Sequence, residues 1–192
     1  MSISAEEKKE IRQKTAKPLL WIAIVSMIMM FAGITSAYVV RQAKGDWLKF
    51  DLPFMFYVST SLIVISSVSM NWAISSAKKN QVKNIKIALL LTLLLGLGFA
   101  FSQVSAWGQL VGQKIFFTGI TSNASGQFLY FLTALHLAHL TGGIIALAVT
   151  YWQSAKERYN TDNLLGLQLC ATYWHFLDIL WVYLFLFLLF IH

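Results

Sequence analysis

The sequence predicts an all-α fold, a polytopic membrane helical bundle of five transmembrane helices with the N-terminus inside and the C-terminus outside. Three observations carry this reading. Hydrophobic residues make up 57% of the 192 and charged residues only 12%, against about 25% charged in an average soluble domain, and the mean hydropathy is +0.63. Five apolar runs reach the roughly 20 residues needed to cross a bilayer. Lys and Arg are shared unevenly between the two sets of connections, which fixes the expected orientation.

Residues 1–17 (MSISAEEKKEIRQKTAK) form a mixed-charge cytoplasmic tail, read as an interfacial or frayed helix. Residues 18–192 form the transmembrane domain, with spans at about 18–40, 53–77, 85–107, 127–152 and 166–191. The first span is longer than the roughly 7–15 residues of a signal-peptide core, and no clean cleavage site follows, so it is read as a retained helix. The longest connection, 108–126, is rich in Gly, Thr and Ser and reads as a surface loop. Short connections make one bundle of the five spans.

The tail, the second-to-third loop and the fourth-to-fifth loop carry eleven basic residues: Lys8, Lys9, Arg12, Lys14, Lys17, Lys78, Lys79, Lys83, Lys86, Lys156 and Arg158. The opposite side carries four, Arg41, Lys44, Lys49 and Lys114. The net charge of +7 is thus accounted for by topology and by contact with anionic lipid, not by nucleic acid. Trp21, Trp72, Trp107 and Trp152 fall near span ends, where an aromatic belt sits. The single Cys170 has apolar neighbours and reads as a small buried hydrophobe.

The fifth run contains YWHFLDILWVYLF, Tyr173 to Phe185. Asp178 lies near mid-span, where a carboxylate costs about 2.5–3.5 kcal/mol on insertion scales unless it is paired or neutral. His175 is three residues away on the same face, with Gln168 and Thr172 on that side too. The fourth run supplies a partner in TALHLAHLTGG, with His136 and His139. At about 1.5 Å of rise per residue, His139 and Asp178 come to the same depth. The expectation is a buried His–Asp network of His136, His139, His175 and Asp178 between helices four and five. Ala134, Ala138, Gly142 and Gly143 are expected to pack this fourth helix closely, which makes it central. The serines of the second run (Ser59, Ser61, Ser66, Ser67, Ser69) and the GxG at Gly96–Gly98 read as interhelical packing. Three intramembrane histidines also suit haem or a metal. HxxH without a further Glu or Cys pattern arises often by chance, however, so a structural network is favoured, with a proton relay open beside it.

YWHFLDILWVYLF closely resembles the signature of cytochrome c oxidase subunit III. Tyr173, Trp174, His175, Phe176, Asp178 and Trp181 match its last helix. Thr133, His136, His139 and Gly143 match the family's penultimate helix, with Ala134 and Leu137 where glycines are usual. WIAIVSMIMMFAGITSAYVV resembles a third family segment through Ser26, Met29, Phe31, Ala32, Gly33, Ala37 and Tyr38. Met27 stands where most relatives carry a membrane-embedded Glu, and Ala106 replaces an acid between Gln103 and Trp107. The chain looks like the short, five-helix form, lacking two helices that wall a lipid-filled cleft in the long form.

The resemblance implies an accessory, non-redox subunit III of a respiratory haem–copper terminal oxidase in the bacterial cell (inner) membrane. It would stabilise the catalytic subunit and support oxygen reduction coupled to proton pumping. It would not be the catalytic chain and would hold no catalytic residue, metal or cofactor of its own. Phospholipid is the expected ligand. Haem and copper are expected in the partner subunits, subunit I and also subunit II. Related proteins accompany quinol oxidases and nitric oxide reductases, so the donor is open. The competing class is a self-contained membrane enzyme that binds haem or a metal.

Overall fold

The computed structural model describes residues 5–45, 47, 48, 50–119, 122–156 and 164–191, with side chains from Ile11 onward except those of residues 12 and 13. Five helices account for nearly all of it: α1 (Ala5–Gln42), α2 (Phe54–Lys78), α3 (Val82–Gly112), α4 (Ala124–Ala155) and α5 (Leu165–Ile191). All five are long and apolar enough to cross a membrane. Of the residues used above for orientation, Lys49 and Arg158 and the side chains of Lys8, Lys9 and Arg12 lie outside those described.

The largest departure from the expected elements is at α1, which begins at Ala5 and runs through Pro18. Proline has no N–H, so the Lys14 carbonyl loses its usual helical donor there. The loss falls at the edge of the apolar run, where water can serve the carbonyl. α2 starts where Pro53, in extended backbone (φ −55°, ψ 141°), hands over to Phe54. Asn80, at φ 55°, makes the tight reversal between α2 and α3, a left-handed conformation that Asn tolerates better than most residues. Between α3 and α4 the helices take residues at both ends of the expected loop. What is left folds back, and the Tyr130 hydroxyl donates to the carbonyls of Trp107 at 3.3 Å and Ile115 at 3.1 Å. Asn123 caps α4, its Oδ1 accepting from the Gly126 amide and the Ser125 hydroxyl at 2.7 Å each.

α2, α3, α4 and α5 form a closed ring in which each helix packs on the next, and α1 lies outside it against α4 and α5. Among the described residues the backbone of α1 comes close to neither α2 nor α3. The ring interior is filled by large buried side chains, among them Trp174, Trp181, Phe56, Phe99 and Ile63. The outward surface is apolar, with Met29, Val68, Ile179 and Phe190 widely exposed, as a lipid-facing surface must be. Trp72 and Trp152 are exposed near helix ends and Trp21 is exposed near the start of the apolar part of α1, whereas Trp107 turns inward and donates its indole N–H to Thr133 Oγ1 at 3.0 Å.

Candidate functional site

The polar groups of the YWHFLDILW stretch meet a row of hydroxyls on α2. At about 100° per residue, Trp174, Asp178 and Trp181 share one face of α5 and His175 flanks it. The Trp174 indole N–H donates to Ser66 Oγ at 3.0 Å. His175 Nδ1 shares a hydrogen bond of 2.8 Å with Ser67 Oγ. The Trp181 indole N–H donates to Thr60 Oγ1 at 3.1 Å. A fourth hydroxyl of α2, Ser59, accepts from Gln103 Nε2 of α3 at 2.8 Å, and Ser69 donates to the Ala88 carbonyl of α3 at 3.0 Å. Ser61, by contrast, is exposed and donates back to Tyr57 in its own helix at 3.0 Å.

The two tryptophans are also shaped into place. A Cβ on Gly96 of α3 would stand 2.6 Å from Cη2 of Trp174, and one on Gly143 of α4 would stand 3.4 Å from its Cζ3 and 3.0 Å from Leu177 Cδ1. The ring therefore occupies space that only glycines leave open. Trp181 stacks on Phe56 at 5.8 Å between centroids and 8° between planes, and meets Phe99 edge-on at 4.9 Å. Phe176 packs against the same core from a half-buried position, and the Tyr173 hydroxyl donates to the His139 carbonyl of α4 at 3.1 Å.

The four residues expected to form one network fall into three places. Asp178 is 4% exposed and faces the α2 side, with its Oδ2 3.8 Å from His175 Nδ1; neither carboxyl oxygen has a hydrogen-bond partner among the described residues. His136 is wholly buried in the ring interior, with its ring 5.1 Å from Trp181 and 5.8 Å from Phe99. Neither of its nitrogens has a hydrogen-bond partner among the described residues. His139 turns to α1, its ring edge-on to Phe31 at 5.8 Å, and its Nδ1 donates to the Leu135 carbonyl at 2.8 Å. Matching depth put His139 and Asp178 level, but facing direction separates them. The small residues of α4 divide in the same way. Gly143 packs inward, while Ala134, Ala138 and Gly142 are exposed, although a Cβ on Gly142 would stand 3.8 Å from the Tyr173 hydroxyl of α5. Thr60, which the sequence analysis passed over, is legible only as another hydroxyl in a hydroxyl-rich span.

Among the described residues, no group of three or more His, Cys, Asp or Glu side chains is placed to hold a metal. The site can hold helices together through paired hydroxyl, indole and imidazole groups. The model of the family described as cytochrome c oxidase subunit III matches residues 48–192. The chain belongs to the cytochrome c oxidase subunit III family. It is similar to a probable cytochrome c oxidase subunit 3 of Nocardia farcinica, 29% identical over 177 residues that cover 87% of this chain and 82% of that one. A probable cytochrome c oxidase subunit 3 of Mycobacterium leprae is 30% identical over 177 residues, 90% of this chain and 85% of the relative. A probable quinol oxidase subunit 3 of Staphylococcus saprophyticus is 26% identical over 171 residues, 86% and 83% of the two chains. As a subunit III it is an accessory component of a haem–copper oxidase and a multi-pass membrane protein. The family match takes in the whole of α2 to α5, the ring that carries the hydroxyl–indole pairs. Met27 is buried in α1, as are Ile24 and Phe31.

Proposed function

We propose that this subunit III packs against the catalytic subunit I of a terminal oxidase, with subunit II close by, and keeps the active site intact through repeated turnover, supporting oxygen reduction coupled to proton pumping. Its own polar interior would serve assembly, with haem and copper held by the partners and phospholipid bound at its surface. The observation that carries the reading is the pairing of Trp174, His175 and Trp181 with Ser66, Ser67 and Thr60, which engages the signature's two indoles and its imidazole Nδ1 inside the bundle. The His136, His139, His175 and Asp178 side chains are assigned to this structural role. The Lys and Arg distribution supports an N-terminus inside and a C-terminus outside in a bacterial cell membrane.

The test is a gentle detergent pull-down of the tagged chain, with mass spectrometry of its companions and a visible spectrum. Co-purification of a catalytic subunit, with haem absorbance in proportion to it, is the expected result. Stoichiometric haem or metal in this chain alone would replace the reading with a self-contained enzyme. A second reading of the donor rests on the similarity to a quinol oxidase subunit 3 as well as to cytochrome c oxidase subunits. Turnover of the purified complex with reduced cytochrome c and with a quinol separates the two.

A further inference from the structure

Inside the ring, two wholly buried side chains of α3 and α4 carry polar atoms that no protein group answers. Gln103 of α3 gives its Nε2 to Ser59 Oγ at 2.8 Å, and the Ser59 hydroxyl in turn donates to the Phe56 carbonyl at 2.9 Å. That second bond uses the hydroxyl proton, so Ser59 can only accept from Gln103, and the orientation of the amide is fixed. Its Oε1 points away from Ser59 and has no hydrogen-bond partner among the described residues. His136 of α4 is as deeply buried. A neutral imidazole has one donor and one acceptor, and neither His136 nitrogen is engaged among the described residues. The two side chains lie at one level. Phe99 of α3 meets the His136 ring and Trp107 of α3 reaches Thr133. Gln103 is one turn from each of Phe99 and Trp107 on the same side of α3, so it falls between His136 and Thr133, themselves about one turn apart on α4.

We propose that one ordered water is part of this interior, accepting from an N–H of His136 and donating to Gln103 Oε1 and Thr133 Oγ1. Thr133 Oγ1 donates to the Leu129 carbonyl at 2.8 Å and receives the Trp107 indole N–H, which leaves it one lone pair for the water. About three bonds is the usual number for a buried water. Ala106, wholly buried and one turn from Gln103, adds only a methyl beside it. Direct contact between Gln103 and His136 is opposed by what holds each of them: Ser59 fixes the amide, and the rings of Trp181 and Phe99 flank the imidazole. A metal ion suits the place less well than water, because Gln103 and Thr133 are neutral oxygen donors and no third His, Cys, Asp or Glu joins His136 among the described residues. The water completes a line of hydrogen bonds from α4 to α2, running from His136 through water, Gln103 and Ser59 to the Phe56 carbonyl. Every donor in it points the same way, so each bond polarises and strengthens the next. The line belongs to the ring itself and does not depend on which subunits accompany the chain.

The test is a cryo-EM map of the full chain, unaltered in sequence and with whatever subunits purify beside it, at a resolution that shows ordered water. A peak is expected at hydrogen-bond distance, about 2.7–3.2 Å, from Gln103 Oε1, Thr133 Oγ1 and one nitrogen of His136. A direct Gln103–His136 bond, no peak between them, or a peak too strong for water overturns the proposal. Thermal melts of Gln103→Met, His136→Phe and the double variant supply a second measurement. Each substitution keeps bulk in the core and removes one side of the bridge, so each should lower the melting temperature. The double variant should lose less than the sum of the two, because the second substitution finds the bridge already broken. Additive losses would mean that the two side chains share no partner, and would equally overturn the proposal.

Discussion

Gly96→Ala is the most direct probe of how α5 is held. The added Cβ would lie 2.6 Å from Cη2 and 3.0 Å from Cζ2 of Trp174, whereas carbon atoms rest at about 3.5–4.0 Å. The indole must therefore retreat by roughly 1 Å. It has little room to do so, because Trp174 is fully buried and Gly143 already lies close to its far edge. The retreat also pulls its N–H from Ser66, 3.0 Å away. Overpacking of this kind costs about 1–3 kcal/mol, and a buried donor left without its acceptor about 1–3 kcal/mol. Against this, replacing a mid-helix glycine by alanine favours the helix by about 0.5–1 kcal/mol. The net expectation is a loss of about 1–5 kcal/mol. Gly98→Ala is the matched control, since its Cβ would meet only Leu62 Cδ1, at an ordinary 3.7 Å, and the helix-propensity gain should stand alone. The assay is thermal unfolding of the purified complex in one detergent, followed by the near-UV signal of tryptophan. If Gly96→Ala melts with the parent, or Gly98→Ala is as damaging, then Trp174 is not wedged as described. Restoration of the Gly96→Ala protein by Trp174→Phe, which shortens the ring, would confirm the contact.

The hydroxyl row gives a graded set. Ser66→Ala strands the buried Trp174 N–H and should cost about 1–3 kcal/mol, while Ser61→Ala, exposed and bonded only within its own helix, should fall within about 0.5 kcal/mol; thermal melts of the two side by side check this. Asp178→Asn is expected to leave the first turnovers of the oxidase intact and to weaken subunit association or shorten active life, read as oxygen consumption over repeated turnovers; an assembled oxidase that never turns over would contradict an accessory role. Carbodiimide should leave the α1 peptide around Met27 unmodified, with any label at Asp178 or another acid, as peptide mapping would show.

The five spans were legible because bilayer-length apolar runs leave little choice of element, but the polar stripe expected to join Gln168, Thr172, His175 and Asp178 splits: Asp178 is buried with Trp174 and Trp181, while Gln168 is exposed. What the sequence concealed was azimuth between helices. Depth arithmetic brings His139 level with Asp178, yet His139 looks to Phe31 of α1 and Asp178 to the α2 side, because no one-dimensional pattern states which neighbour a face meets. The small residues of α4 mislead for the same reason: Ala134, Ala138 and Gly142 permit close approach without naming a partner, and all three are exposed. At α1, Pro18 is a good helix-start signal, and it concealed that the helix expected in the tail and the first span are one continuous helix from Ala5. The hydroxyls of α2 were recognisable as interhelical packing, but their pairing with α5 became visible only once the two helices were side by side.

That pairing explains how a bundle in lipid settles on one register. Acyl chains are as apolar as leucine, so apolar side chains alone do not penalise α5 for sliding along α2. The hydroxyl–indole pairs do. As the α2 partner steps back from Ser67 to Ser66 to Thr60, the α5 partner moves from His175 and Trp174 on to Trp181, as expected for antiparallel helices in one fixed alignment. A slip of one turn would unmake all three bonds together and drive the Trp174 ring off Gly96 and Gly143 into side chains. Interhelical bonds of this kind average only about 0.6 kcal/mol each in a membrane, so their effect lies in acting on the same slip and in being coupled to a ring with one place to fit. Asp178 sits between the two tryptophans that fix this alignment. Its removal from acyl chains is thus a consequence of the register they impose, and any change that loosens Trp174 or Trp181 should also bring that carboxyl toward lipid.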